Sequence, residues 1–489
     1  MTSVLLCTEG TYPFVEGGVS TWCDALCSRL DDVDFKIFAL AAAPDVEFRY
    51  VLPPNVSGVI HVPLYGAIEP AEYLLHSPPL RELMARKRKT TRSVIEEQFL
   101  PLLRGLLRGI DGKEAPQDGI RIVHGLWKYF QTYDWKASWK SQPAWETFIE
   151  SQVGAHDFRE GEQPSLYDLT SAARWLYHFL QPLAAAIPRT DVAHSTISSL
   201  AALPAIIAKQ EYGTAFVVTD HGVSIRERYI SLGESEFTPY AKRFLARLAT
   251  FIARITYTHA DVVAPVVRFN HRWEVRYGAD PERIETIYNG VDPEVFRPRP
   301  KPPGPPTALA AARVYPLKDI ETMIRSANVV RAELPDVRFI LYGSLTADPP
   351  YVERCRALIA ELGLDETFFF MGPHANPAEL YAEGDVTVLS SISEAFPYTV
   401  LESMACARPV IGTDVGGVRE ALEGFGLIVP PRDPDSLGRA ILTLLQDVDL
   451  RSELGRKARE QVLARFRITD SVDAYRQLYK RLTGRLEAA

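Results

Sequence analysis

The run Arg297–Pro306 (RPRPKPPGPP) constrains this chain more than any other ten residues, because six of them are proline. Each proline fixes φ and lacks an N–H, so the run can be neither a helix interior nor a central strand. It reads as an extended linker. At 489 residues the chain is also too long for one ordinary core,. Two domains are therefore expected, 1–296 and 307–465. The linker 297–306 lies between them, and an amphipathic C-terminal helix within 466–489 is read as crossing back onto the first domain.

After the linker the pattern is a regular alternation of short apolar runs and helical periods. Strands are predicted at 308–312, 337–342, 367–371, 386–390 and 409–413, with helices at 320–334, 351–362, 377–382, 399–406 and 418–423. That is the rhythm of a doubly wound parallel sheet. The first domain opens the same way: a strand over 3–8, a glycine-rich loop (EGTYPFVEGGVS), a helix over 20–30 and a strand over 35–40. Between about 66 and 190 helical patterns take over, at Val94–Leu107 with Pro101 interrupting and at Ser171–Ala186. Four of the seven tryptophans fall between them, in Trp127–Trp145. This region is read as helical elaboration. The α/β pattern then resumes with strands at 191–195, 215–219 and 261–264. The fold class is thus α/β, two doubly wound domains expected to present the carboxyl ends of their strands to a central cleft.

The net charge of −8 argues against a nucleic-acid binder,. One basic stretch, Arg81–Arg92 (RELMARKRKTTR), reads as a solvated helix face or as a contact for a membrane surface or partner. The opening MTSVLLCTEG lacks the regions of a secretory leader, and no apolar run reaches the roughly 18–20 residues of a spanning helix. Cysteines 7, 23, 27, 355 and 406 form no CxxC pair and read as reduced, small apolar side chains. A cytoplasmic protein is expected.

Glu394 and Glu402, in SSISEAFPYTVLESMA, are the sharpest chemical signal. Glu394 falls in the loop after a strand, where ligands bind in doubly wound folds, and Glu402 in the helix that follows. Eight helical residues span about 12 Å, too far for two carboxylates to flank one glycosidic bond. The spacing suits two ends of one ligand, or two solvated or capping carboxylates. The helix start, Phe396–Val400 (Phe396, Pro397, Tyr398, Thr399, Val400), offers backbone N–H groups to a phosphate or sugar oxygen. Arg313 and Lys318 (AARVYPLKDI) follow the first strand of the second domain and can reach a diphosphate, or form a surface salt bridge. Gly17 and Gly18 (EGGVS) open a helix and permit either close approach of a phosphate or a tight turn. His221 (VVTDHGVS) follows a strand, which favours it over His194 and His124. Asp-x-Asp tripeptides at 32–34, 433–435 and 447–449 follow no strand convincingly, so no metal is expected.

Together these segments resemble glycosyltransferase family 4. EAFPYTVLE, Glu394 to Glu402, resembles that family's E-x7-E motif, and MACARPVIGTDVGGVRE the segment after it. AARVYPLK resembles its Arg/Lys loop, IYNGVDPEVF its interdomain signature and EGGVS its N-terminal glycine loop. Longer stretches (LLCTEGTYPFVEGGVSTW, HSTISSLAALPA, TDHGVSIRER, ADPERIETIYNGVD, SISEAFPYTVLESMA) resemble the PelF-like exopolysaccharide glycosyltransferases. The resemblance covers most of 280–480 and, through these anchors, the first domain. It implies the GT-B architecture, a UDP-sugar donor (UDP-glucose or a UDP-N-acetylhexosamine), retention of the α configuration and no obligatory cofactor. By position it implies that Glu394 holds the donor sugar, Glu402 the ribose, Arg313 and Lys318 the diphosphate with Gly17 and Gly18, and that His221 contacts the transferred sugar. Ala407 and Asp319 stand where glycine is commoner in the family.

The reading this supports is a retaining hexosyltransferase acting on a growing exopolysaccharide or other glycan acceptor. Its expected place is the cytoplasm or the inner face of the membrane, beside a membrane-associated polysaccharide synthesis complex. No carboxylate fit to be a nucleophile is evident on the opposite face, which favours front-face displacement. The alternative is a non-catalytic UDP-sugar-binding scaffold subunit, which would bind the donor without turnover. A UDP-sugar 2-epimerase would need acidic groups around C2 of the sugar, and the E-x7-E context argues against it.

Overall fold

The computed structural model describes residues 1–66, 79–154 and 163–484. The chain forms two compact units, one of 1–265, 270–286 and 475–489, the other of 266–269 and 287–474. Each is built on a six-stranded parallel sheet.

In the first unit the strands are β1 (Thr2–Glu9), β2 (Val33–Ala41), β3 (Val56–Pro63), β4 (Val192–Ser195), β5 (Ala215–Val218) and β6 (Val262–Val263), in the order β3-β2-β1-β4-β5-β6. The second unit has β7 (Thr307–Ala311), β8 (Arg338–Tyr342), β9 (Phe368–Gly372), β10 (Val386–Leu389), β11 (Val410–Thr413) and β12 (Leu427–Val429), in the order β12-β11-β10-β7-β8-β9. Counted from its own first strand, each sheet has the same order, 3-2-1-4-5-6, which is that of the Rossmann fold. The central strands are buried on both faces: Val4, Leu5 and Leu6 in β1 and Ala308 and Leu309 in β7 are fully buried, which is why they read as unbroken apolar runs. The strand order reverses direction between β1 and β4 and between β7 and β10. In folds of this order such a reversal marks the crevice at the carboxyl edge of the sheet.

Two strands have no counterpart in the sequence reading, β3 and β12, and each is a sheet edge. Pro101 likewise does not interrupt its helix. The backbone widens into a π-turn over Ile95–Phe99, with Leu100 N–H donating to Ile95 O five residues back, and helix Leu100–Ile110 continues with Pro101 in its first turn. The proline sits where the widened turn passes back into regular α-helix,.

Between β3 and β4 lies a helical insert: Leu80–Lys89, Leu100–Ile110, Pro116–Thr132, Trp135–Trp139, Gln142–Val153 and Leu166–Phe179. Parts of the region read as helical elaboration, 67–78 and 155–162, fall outside the described residues. The insert shares one core with the sheet, running from Leu5 and Phe38 through Phe99, Leu106 and Phe130 to Phe251. Trp127 is buried in it because its indole N–H reaches Ala185 O at 2.9 Å,. Among the described residues no helix is long and apolar enough to cross a membrane.

The proline run belongs to the second unit. Lys301 Nζ holds it against Asp385 (2.7 Å) and Arg408 donates to Arg299 O (2.7 Å). From Tyr475 onward, the C-terminal helix Ile468–Leu482 belongs to the first unit. There Tyr479 OH hydrogen-bonds His194 Nδ1 at 2.6 Å and Tyr475 OH hydrogen-bonds Thr219 at 3.0 Å.

Helix Tyr398–Ala405 ends in a Schellman motif, Ala407 N–H donating to Met404 O and Arg408 N–H to Ser403 O, both at 3.0 Å. The motif puts Ala407 at φ +55, where a β-carbon is strained. Ala407→Gly is therefore expected to stabilise the second unit by roughly 0.5–1 kcal/mol, less than the full relief because glycine also loosens the unfolded chain. The measurement is the urea midpoint, with the slope unchanged.

Candidate functional site

The crevice between β7 and β10 is shaped by two loops. The loop after β7 tightens into a 3₁₀ turn, Pro316–Lys318, and then reverses at Asp319 with φ +46. Aspartate tolerates that left-handed conformation. Its carboxylate also caps the next helix, accepting from Thr322 N–H (3.3 Å) and Thr322 Oγ1 (2.7 Å). The loop after β10 is tied to it: Ile392 N–H donates to Leu317 O (2.9 Å) and Ser390 Oγ to Lys318 O (2.8 Å).

These ties bring Lys318 and Glu394 together. Lys318 Nζ forms an ion pair with Glu394 Oε1, and Ser391 Oγ donates to the same oxygen at 2.6 Å. The two side chains are only 18% and 10% exposed. Burial alone would lower the lysine's pKa, but the Glu394 charge outweighs it and the ammonium titrates above its usual range. Arg313 is exposed, its guanidinium 5.3 Å from the Tyr315 ring centre, and its charge weakly opposes that of Lys318.

From Glu394 the chain enters helix Tyr398–Ala405, which follows Pro397 with no side-chain cap on its first turn. Phe396 is buried against the rings of Tyr288 (5.3 Å) and Phe466 (5.2 Å), and its carbonyl accepts from Asn289 Nδ2 at 3.2 Å. Val400 is buried, while Pro397, Tyr398 and Thr399 are partly exposed. Glu402 lies one helical stretch further on. Tyr381 OH donates to its Oε2 at 2.6 Å. Burial pushes the Glu402 carboxyl up to about 7, and the tyrosine bond only partly offsets this.

Three contributors escaped the sequence reading: Ser391, Tyr381 and Gly416. Gly416 has φ +55, and a β-carbon there would overlap the Glu394 carbonyl oxygen; Gly417 N–H donates to Ala395 O at 2.7 Å. The glycine pair of TDVGGVRE thus seats the Glu394 loop. A signal for it was present in the sequence, a GG directly after a predicted strand.

The remaining candidates lie in the first unit. Gly17 is extended (φ 161) and Gly18 begins helix Gly18–Arg29, which has no side-chain cap. Among the described residues, chain neighbours apart, no atom stands within 4 Å of where a Gly17 β-carbon would be, so packing against them does not require glycine there. His221 follows β5, its ring 4.7 Å from Trp22 at 70°. Its Nε2 is buried without a hydrogen-bond partner among the described residues, and burial lowers its pKa to about 3. Its neighbour Asp220 is anchored by Tyr257 OH (2.5 Å) and Ser198 N–H (3.1 Å). His194 is engaged with Tyr479 and Thr219, and His124 with Glu211 at 2.8 Å. Asp433 and Asp447 cap helices, accepting from Ser436 and Leu450 N–H groups at 2.9 and 2.8 Å.

Comparison with known proteins places both units. The family described as "Domain of unknown function (DUF3492)" matches residues 2–282, and "Glycosyl transferases group 1" matches 291–461. The D-inositol 3-phosphate glycosyltransferase of Thermobispora bispora is 30% identical over 279 residues, 53% of this chain. The chain spans 64% of the length of that curated relative. Among solved structures, Anabaena HepE in complex with UDP superposes with a TM-score of 0.61 at 16% identity, covering 98% of this chain and all of that one. WaaG, a glycosyltransferase involved in lipopolysaccharide biosynthesis, gives 0.57 at 13%, covering 99% and 100%. The fold is of the GT-B type, two Rossmann-like domains. The chain belongs to the family described as "Domain of unknown function (DUF3492)" and carries, over residues 291–461, a domain of the glycosyl transferases group 1 family.

Proposed function

We propose that this protein is a retaining glycosyltransferase of family 4, PelF-like, that moves a sugar from a UDP-sugar to a glycan acceptor in exopolysaccharide synthesis. The observation that carries the reading is the Lys318–Glu394 pair at the crevice between β7 and β10, beside Arg313. A fixed ammonium and a guanidinium at a strand-end crevice suit a diphosphate. HepE, a neighbour in fold, has been solved with UDP and with UDP-glucose, which favours uridine donors and glucose first among the sugars to try.

In this reading Arg313 and Lys318 bind the diphosphate and stabilise the charge that develops on departing UDP. Glu394 accepts hydrogen bonds from the sugar hydroxyls, and the first-turn N–H groups around Phe396–Val400 bind the phosphate side. Glu402 accepts from the ribose hydroxyls. Gly17 and Gly18 leave backbone N–H groups open to the diphosphate, and His221 touches the transferred sugar. Displacement occurs on the face from which UDP leaves. The acceptor is a growing exopolysaccharide, held in a synthesis complex at the inner membrane face.

The test is UDP release across UDP-, GDP- and ADP-sugars with glycan acceptors, beside Glu394→Ala. Turnover with one UDP-sugar, lost in the variant, supports the transferase. Tight UDP-sugar binding with no release under any acceptor condition overturns it in favour of a scaffold subunit.

Glu402 makes the donor site pH-sensitive. Its folded pKa of about 7 lies above its ordinary 4.5. Folding thus favours the protonated form, and this stabilisation is full below pH 4.5 and lost as pH rises through about 7,. Donor binding needs the ionised form and runs the other way. The donor KM is expected to fall about tenfold between roughly pH 6 and 8, following the ionised fraction. Glu402→Gln is expected to raise KM and flatten that dependence; a wild-type KM flat over this range sinks the ribose assignment.

A further inference from the structure

A cavity lies inside the helical insert of the first unit. It is partly open to solvent and has a volume of about 680 Å³, within the range of about 300–1,000 Å³ typical of small-molecule sites. Helices Leu100–Ile110, Trp135–Trp139, Gln142–Val153 and Leu166–Phe179 wall it. Its lining is mostly apolar and aromatic and includes Leu103, Trp139, Trp145, Phe148 and Leu176, with the Trp145 and Phe148 rings stacked at 6.0 Å. A sugar ring would need many hydrogen-bonding partners, which such a lining does not supply; a hydrocarbon chain needs none.

The charged groups that line the cavity, Lys140 and Arg174, are both cationic. Lys140 lies over the Tyr177 ring at 5.2 Å, and Arg174 and His178 stand on the facing helix. Burial lowers the His178 pKa, and the charges of Arg174 and Lys140 lower it further, so the ring lines the cavity as a neutral hydrogen-bonding group beside two cations. Among the described residues that line the cavity there is no carboxylate. Positive charge continues on the same insert. Helix Leu80–Lys89 carries five cationic residues and is tied to it by Arg86 Nη1 donating to Phe130 O at 3.3 Å. The Phe130 ring in turn stands 6.4 Å from Trp139.

We propose that this cavity binds a single-chain amphiphile with a phosphate head, the chain among the aromatic rings and the phosphate on Lys140, Arg174 and His178. The site is separate from the donor residues, and its test needs no sugar transfer. The full-length protein is titrated by calorimetry with dodecyl phosphate, dodecanol and dodecyltrimethylammonium below their micelle concentrations. Dodecyl phosphate is expected to bind saturably at one site, about tenfold more tightly than dodecanol and far more tightly than the cation. Ala173→Phe, at a partly exposed lining position, fills the cavity and is expected to weaken both phosphate and alcohol about tenfold or more. Arg174→Glu is expected to weaken the phosphate alone. Unchanged thermal unfolding of the variants shows that they fold. The proposal is overturned by absent saturable binding in wild type, by undiminished binding in a folded Ala173→Phe variant, or by a cation that binds as tightly as the phosphate.

Discussion

Lys318→Ala is expected to lower kcat/KM for the UDP-sugar by about 10²–10³-fold, the usual effect of removing a charge aimed at a developing anion. The ammonium is held in place before any ligand arrives, by Glu394 on one side and the interlocked loops on the other. Its charge is secure: the pKa is raised above 10.5, so the pair contributes its stability below that value and loses it only in strong alkali,. The loss of rate should therefore be constant across neutral pH. The variant leaves a mostly buried carboxylate that still accepts from Ser391 Oγ. Partial solvent contact keeps that cost to about 1–2 kcal/mol rather than the larger figure for fully buried pairs.

Two controls separate the chemical role from the structural one. Glu394→Gln in the Lys318→Ala background removes the unpaired charge, so the double variant should recover stability while activity stays low. Lys318→Arg keeps the charge and should retain more activity than alanine, though a longer, planar group fits the same space poorly. UDP release and urea denaturation read both. Transfer at the wild-type rate in Lys318→Ala would remove the diphosphate role from this residue.

The centre of each sheet was legible in the sequence and the edges were not, for a physical reason. β1, β2, β7 and β10 are buried on both faces, and a fully buried strand must be apolar throughout,. β3 is half solvated, contains Gly58 and begins with exposed residues, so it carries neither an unbroken apolar run nor clean alternation. β12 is three residues long, below the length at which periodicity has meaning,. The helical insert was recognised as helical, but Pro101 was read as a break. A π-turn costs no sequence signature of its own, so a tolerated proline and a helix-ending one look alike,.

The arrangement of the candidate site was legible where it follows from local position. Lys318 and Glu394 follow consecutive strands of the sheet order, and strand ends at a reversal are where ligands bind,. What could not be read was the support behind them. Tyr381 reaches Glu402 across 21 residues, and Gly416 lies against Glu394 across 22, contacts set by tertiary packing alone. The two departures from the family's glycines also resolve here. Asp319 and Ala407 both sit at positive φ, so glycine suits each by backbone conformation. Asp319 compensates by capping a helix, whereas Ala407 has no such compensation among its described contacts.

His221 offers the second large effect and the cleanest contrast between function and packing. Its Nε2 is buried without a partner among the described residues, and burial holds the ring neutral with a pKa of about 3. An unpaired buried polar atom costs roughly 1–3 kcal/mol. A purely structural residue at this position would do better as an apolar one of similar size. His221→Leu is accordingly expected to leave stability unchanged or raise it by about 1 kcal/mol, while kcat falls about 10²-fold if the proposed hydrogen bond to the transferred sugar is lost. Because the imidazole is neutral throughout, wild-type and variant rates should keep a constant ratio from about pH 5 to 9. His221→Asn restores a neutral donor and should recover part of the rate. A His221→Leu variant that unfolds more readily yet transfers sugar normally would make the histidine a packing partner of Trp22, and the orphaned nitrogen would then belong to the fold rather than to the donor.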